Sequence, residues 1–304
     1  MIAYYSRQIR LQRQGNSGQA AVLVLTTISA ILALVFSALF SAHLDVEKIA
    51  SSNAVDAIAL SAATWEARGL NLVASLNDGI LQCLRAIRGI CVVWAALAVA
   101  ACLGAGMSAF IAYSRRAPGM IRSYWNCAKQ LEGWAGKVKD LTPYLVLAET
   151  ASLTSTLMVT GVLRPTDPRG PHDGDATLEL HLKPGPPLTL ADAMSPLTGI
   201  TGIIGKWKWA KNIVRAVTAV IDAAVRSLLG GESAPIRMLE PEEDFNRRQK
   251  VRFTGTKFVS PLPIPFLEHK ESRGYFMDSH AEPYGGGIAE MTWKSRLADA
   301  PEKP

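Results

Sequence analysis

From Gln19 to Arg68 the chain runs without a glycine or a proline, and its first half, residues 20–42, carries no charge. No other feature narrows the fold so far. At ~1.5 Å per residue, a helix over 20–42 reaches across the ~30 Å hydrocarbon core of a bilayer. A globular core helix of that length would show polar side chains every few positions. Here only Thr and Ser interrupt the apolar run, and their hydroxyls can bond back to the helix's own carbonyls. The stretch reads as a transmembrane anchor.

Its flanks set a direction. Arg7, Arg10 and Arg13 precede it without an acid, and Asp45 and Glu47 follow it. The positive-inside rule places residues 1–19, a basic tail, in the cytoplasm and His43 outside. Signal-peptide cleavage after Ala42 would put the large Phe40 at a position that needs a small residue. The expectation is therefore an uncleaved anchor with a cytoplasmic N-terminus. Residues 43–88 continue as an amphipathic extracytoplasmic helix, with Ile49, Val55, Ile58, Leu60 and Trp65 among alanines, then Leu72, Val73, Leu76, Ile80, Leu84 and Ile87. Arg85 and Arg88 are expected to close it. Small residues recur four apart in the span, at Ser29, Ala33, Ser37 and Ser41, a ridge on which another helix could pack closely.

A basic tail, then Gly18, Gln19, Ala20, Ala21 and Val22 opening a span, then Asp56, Ala57, Ala59, Ser61, Ala62 and Ala63 resemble the TadE/TadG-like proteins of tight-adherence (Flp) pilus systems. Residues 65–77, WEARGLNLVASLN, are similar to a longer TadG-related subgroup. So is the C-terminal set Ala281, Pro283, Tyr284, Trp293, Arg296 and Leu297. The resemblance implies a non-catalytic, minor pseudopilin-like membrane component of pilus assembly or a related secretion apparatus. Its place would be a bacterial inner (cytoplasmic) membrane, and its partners other pilus-assembly membrane subunits and the lipid bilayer. One departure stands out. The family's pilin-like members carry a Glu five residues after the processed Gly, and here that position is Leu23. A carboxylate in the span costs about 2.5–3.5 kcal/mol and needs a dedicated partner; Leu23 removes both the cost and the partner. Gly18, Gln19 and Leu23 are thus a candidate processing motif for which no cleavage is expected.

Residues 89–113 form a second uncharged run, closed by Arg115 and Arg116. Its length meets the criterion for a second transmembrane helix, with its own small-residue ridge at Ala100, Gly104, Ser108 and Ala112. Two spans would return the chain to the cytoplasm, where Arg122, Lys129, Lys137 and Lys139 fit the positive-inside rule. Single-span relatives would leave the remainder outside, so the side holding 114–304 stays open. The alternative function is a two-span membrane protein whose C-terminal region binds a cytoplasmic partner or anionic lipid. Residues 114–163 read as a helical region; within it, 141–163 contains Pro143 and Glu149 and reads as a soluble or surface helix.

Residues 164–187 read as a Pro/Gly-rich linker around one short alternating run, Leu178, Leu180 and Leu182. The C-terminal region, 188–304, contains an amphipathic helix over 206–229 with Lys208, Lys211, Arg215 and Arg226 on its polar face. It reads as cover for a small core ahead of a membrane-surface element. A charged stretch over 240–250 reads as a solvated connector, 251–259 as a strand, and the prolines over 261–265 as extended chain. The last thirty residues show no periodicity, with Trp293 and Tyr284 placed to fasten them.

Neither a nucleophile elbow, a zinc-protease helix, a phosphate loop nor a dinucleotide fingerprint is present. The best metal candidates, His172, Asp173, Asp175 and His181, lack ligand spacing. The four cysteines form no CxxC pair, and the net charge of +6 accompanies no nucleic-acid motif. The expected protein is mainly α and not an enzyme. It has a membrane-anchored long N-terminal helix, an expected second transmembrane helix, and a small α+β or irregular C-terminal region. It uses no cofactor or metal, and binds no nucleic acid and no small-molecule substrate.

Overall fold

A single helix, α1 (Ile2–Cys102), spans the first third of the chain in the computed structural model. That model describes residues 2–165, 180–189, 235–243, 249–259 and 273–298, with the isolated positions 219, 223 and 245. The described chain is mostly helical and ends in a small β-region. α1 does not close at Arg85 and Arg88. With no proline before Pro118 and alanine throughout, nothing in its covalent chemistry stops it.

It stops instead at a glycine. Gly104 (φ 84°) takes the left-handed conformation that terminates helices. The Ala105 amide donates to the Ala100 carbonyl and the Gly104 amide to Ala101, both at 3.0 Å. Gly106 (φ 78°) then caps α2 (Met107–Thr156), which runs back along α1. Gly69 lies against Thr142, Gly79 against Leu131, and Trp94 against Ser114, an antiparallel hairpin of about 70 Å at ~1.5 Å per residue.

This overturns the expected second transmembrane helix over 89–113. Those residues are two legs and a turn, not one rod. The legs pack on one another at their base, where Cys91, Trp94 and Ala95 meet Ala117, Ile121 and Trp125, while residues 102–109 at the turn are exposed. The second ridge dissolves for the same reason. Ala100 lies on α1, Gly104 in the turn, and Ser108 and Ala112 on α2. It cannot meet the first ridge, which about sixty residues of unbroken helix separate from it.

Helix α2 ends at Thr156, and residues 160–165 are strand β1 (Thr160–Pro165). With β4 (Val251–Val259), β5 (Arg273–Tyr284) and β6 (Lys294–Ala298) it forms an antiparallel sheet in the order β1-β4-β5-β6. Pro165, Val251, Ala281 and Leu297 fall on one line across it. β2 (Leu182–Leu188) and β3 (Ile236–Pro241) make a separate two-stranded ribbon. The segment read as a linker over 164–187 therefore contributes to two strands. The expected solvated connector is also partly core, since Phe245 and Gln249 are buried. The amphipathic helix expected over 206–229 lies outside the described residues apart from Ala219 and Ala223, as do the prolines over 261–265.

Three apolar clusters run down the hairpin. One, at the turn end, centres on Ile80, Ile87 and Trp125. The middle one holds Leu70, Val73, Leu180 and Trp293. The third seats Val251, Phe253 and Ala281 of the sheet on the α1 stripe of Val55, Ile58, Ala59, Ala62 and Ala63. The alanines keep that stripe shallow, so a strand can lie close to the helix axis.

Candidate functional site: a bare apolar rod and a seam closed by the C-terminal strands

Two parts of α1 have opposite surroundings. Over the first, Val22, Leu23, Leu25, Leu34 and Phe36 are all more than half exposed, and the most apolar stretch has none of its surface buried. Thr26 and Thr27 donate to the Leu23 carbonyl at 2.9 and 2.7 Å, so their hydroxyls present no unpaired donor to the outside. Ser29, Ala33, Ser37 and Ser41 lie on this bare segment and are exposed. Gly18, Gln19 and Leu23 are helical, without a break at the candidate processing motif. This helix is long and apolar enough to cross a membrane.

Over the second part, polar side chains key the C-terminal strands into place. Asn71 uses both ends of its amide on the Trp293 backbone, donating to the carbonyl and accepting from the amide at 3.0 Å each. Asn77 donates to the carbonyls of Leu239 and Ile288 at 2.8 and 2.7 Å. Thr64 and Ser295 share a 2.8 Å hydrogen bond. Trp293 itself is buried against Phe245, ring centroids 5.0 Å apart. The stretches that carry the family resemblance, 65–77 and 281–297, thus lie against each other although 222 residues separate Asn71 from Trp293 in sequence.

The seam holds one carboxyl that is wholly enclosed. Glu66 is 3% exposed, and burial pushes its pKa up to about 8, against a smaller lowering from the Gln249 side chain. Gln249 in turn accepts from the His181 amide at 2.9 Å. Oε2 of Glu66 has no hydrogen-bond partner among the described residues. At neutral pH the group is therefore held protonated, since a buried carboxylate without a countercharge is costly. A few residues away the charges are paired conventionally. Glu282 accepts from Arg296 and stands 3.3 Å from Lys250, and Arg252 pairs with Asp278 at 2.7 Å. His280 is buried beside them, and desolvation lowers its pKa despite Asp278 nearby.

Sequence reading did not single out Glu66, Asn71 or Asn77. A signal was available: Glu66 and Asn77 interrupt the stripe Leu70, Val73, Ile80 at helical spacing, where an apolar residue belongs. Of the metal candidates, His181 stands 4.0 Å from Glu242, and His172, Asp173 and Asp175 lie outside the described residues. Among the described residues no three His, Cys, Asp or Glu side chains converge as metal ligands would. The seam can hold strands against a helix; its groups are committed to one another.

Compared with protein-family models, with curated proteins and with solved structures, the chain matches none.

Proposed function

We propose that the protein is a non-catalytic, minor pseudopilin-like component of tight-adherence (Flp) pilus assembly or a related secretion apparatus. It is anchored in a bacterial inner membrane by residues 20–42, with the N-terminus cytoplasmic. The observation that carries this reading is the bare apolar segment of α1, continuous with a helix whose next face is fully occupied. A lipid bilayer and neighbouring spans are the partners that an exposed, hydroxyl-satisfied helix of this length suits. The hairpin supports a single crossing: α2 and the sheet pack on α1 between Val55 and Trp94, so the described residues after 42 share one side. The meeting of 65–77 with 281–297 supports the TadG-like resemblance, because both similar stretches serve one seam.

The test has two arms. A photo-crosslinking residue in place of Ser37 should capture other assembly subunits in intact membranes; recovery of the monomer alone would count against the assembly role. A Met158→Cys variant whose four native cysteines are replaced should react with an impermeant thiol reagent from outside the cytoplasmic membrane. Protection of that site until the membrane is opened would reverse the orientation.

A further inference from the structure

The hairpin tip is sorted by charge and polarity in a way the proposed anchor does not use. Between Asp78 and Glu132, which lie level with each other on the two legs, there is no acidic residue, and six basic ones occur: Arg85, Arg88, Arg115, Arg116, Arg122 and Lys129. None of the six lies between Gly89 and Ser114. The tip is thus uncharged, and the arginines encircle its base. Val93, Leu103, Met107 and Ile111 point outward from it, Leu103 at 61% exposure and Met107 at 55%. The Trp94 indole donates to Ser114 Oγ at 2.8 Å and the Gly104 turn takes up the last carbonyls of α1, while α2 begins at Gly106 without a side-chain cap.

The depth of the uncharged part is informative. From Trp94, level with Ser114, to the turn at Gly104 is ten residues, about 15 Å at ~1.5 Å per residue. That is half of the ~30 Å hydrocarbon core, the thickness of one leaflet. A rim of one sign around an apolar wedge complements anionic head groups over acyl chains.

We propose that the hairpin tip inserts one leaflet deep into an anionic lipid surface, with Arg85, Arg115, Arg116 and Arg122 at the head groups. About 70 Å of unbroken helix lies between Ala42 and Gly89. Such a helix cannot double back, so the tip meets a lipid surface other than the patch that holds residues 20–42. This goes beyond the anchoring reading and rests on it only for the place of the first span. The protein then spaces two lipid surfaces.

The full chain, held in phosphatidylcholine nanodiscs, is labelled with an environment-sensitive fluorophore at Ala105→Cys, with the native cysteines replaced. Vesicles containing phosphatidylglycerol and brominated acyl chains are added. The tip label should brighten and be quenched, and the same label at Gln130→Cys should not. Replacing Arg115 and Arg116 by Gln should weaken vesicle affinity about tenfold or more, and raised salt should do the same. A second measurement needs no substitution: anionic vesicles should shield the Arg115–Arg116 site of the unaltered chain from trypsin. A label at Ser37→Cys, quenched by brominated lipid in the nanodisc, reports the anchor separately. An Ala105 label indifferent to vesicles, or a tryptic site equally open with them, overturns the proposal whatever Ser37 reports. A tip label that responds to protein concentration without vesicles also overturns it, in favour of tips pairing with copies of themselves.

Discussion

Replacing Glu66 by Gln should stabilise the seam, and the gain should grow with pH. The carboxyl's pKa rises from 4.5 to about 8 on folding, so the folded state binds a proton that the unfolded state releases between those values. For a group raised in the folded state, the stabilising contribution is full below pH 4.5 and is lost as pH climbs toward 8. The 3.5-unit difference (8 − 4.5) corresponds to roughly 5 kcal/mol across the window, and about 3 kcal/mol of it is already lost at pH 7. The Glu66→Gln side chain would keep the shape and the Gln249 hydrogen bond but carries no titrating proton. Wild type and variant should therefore be nearly equal at pH 4, with the variant ahead by several kcal/mol at pH 9. Urea unfolding of the full chain in nanodiscs, read by pulse proteolysis of the C-terminal strands, measures the difference. Taking the difference also cancels His280, whose lowered pKa acts oppositely, losing stability as pH falls through the ordinary histidine range. A gap between the two proteins that does not change with pH would refute the reasoning, because it would mean that Glu66 is not buried in its neutral form.

Two further outcomes follow from the hairpin. A Cβ on Gly69 would stand 2.5 Å from Thr142 Oγ1 and 2.6 Å from its Cγ2; Gly69→Ala should cost about 1–3 kcal/mol in overpacking less up to ~1 kcal/mol of helix propensity, and Thr142→Ala in the same chain should recover most of it in thermal melts. Cys83 and Cys127 fall at the same level of the two legs, and the neighbouring Cys127 adds to the burial that raises the Cys83 pKa, so diamide at mildly alkaline pH should join them within one chain, a loss of two hydrogens by mass spectrometry that Cys127→Ser abolishes; continued reactivity of both thiols would argue for separated legs.

Some of this fold is written plainly in the sequence, and the rest is hidden for physical reasons. The apolar rod was legible because an uncharged run of that length leaves few structures open to it. The same rule misled over 89–113. Two legs that bury each other also lack charge, and a length criterion counts residues without sensing their direction. Gly104 and Gly106 carried the correction, since paired glycines after an alanine run mark a helix end as readily as a ridge. The strand at 251–259 showed its alternation, with Val251 and Phe253 facing the helix. β5 did not, because Ser279, His280 and Glu282 are buried as well as Ala281; paired charges let polar residues sit where the pattern demands apolar ones. β2 was disguised by Pro184, Pro186 and Pro187, tolerated because the ribbon's register shifts there. The bare apolar helix was found from sequence. The seam was not, since it depends on contacts between Asn71 and Trp293 that no local pattern encodes.

The bond between Asn71 and Trp293 also governs the order in which the molecule can be completed. A ribosome makes the helix more than two hundred residues before Trp293, so the face of α1 that Trp293 covers waits open for that interval. A chain that stops short of β5 and β6 would keep the bare apolar segment and the hairpin, but would leave Leu70, Val73 and the stripe over 55–63 less covered. Synthesis thus holds one apolar flank open until the late strands dock, and a protease could tell chains that carry those strands from chains that lack them.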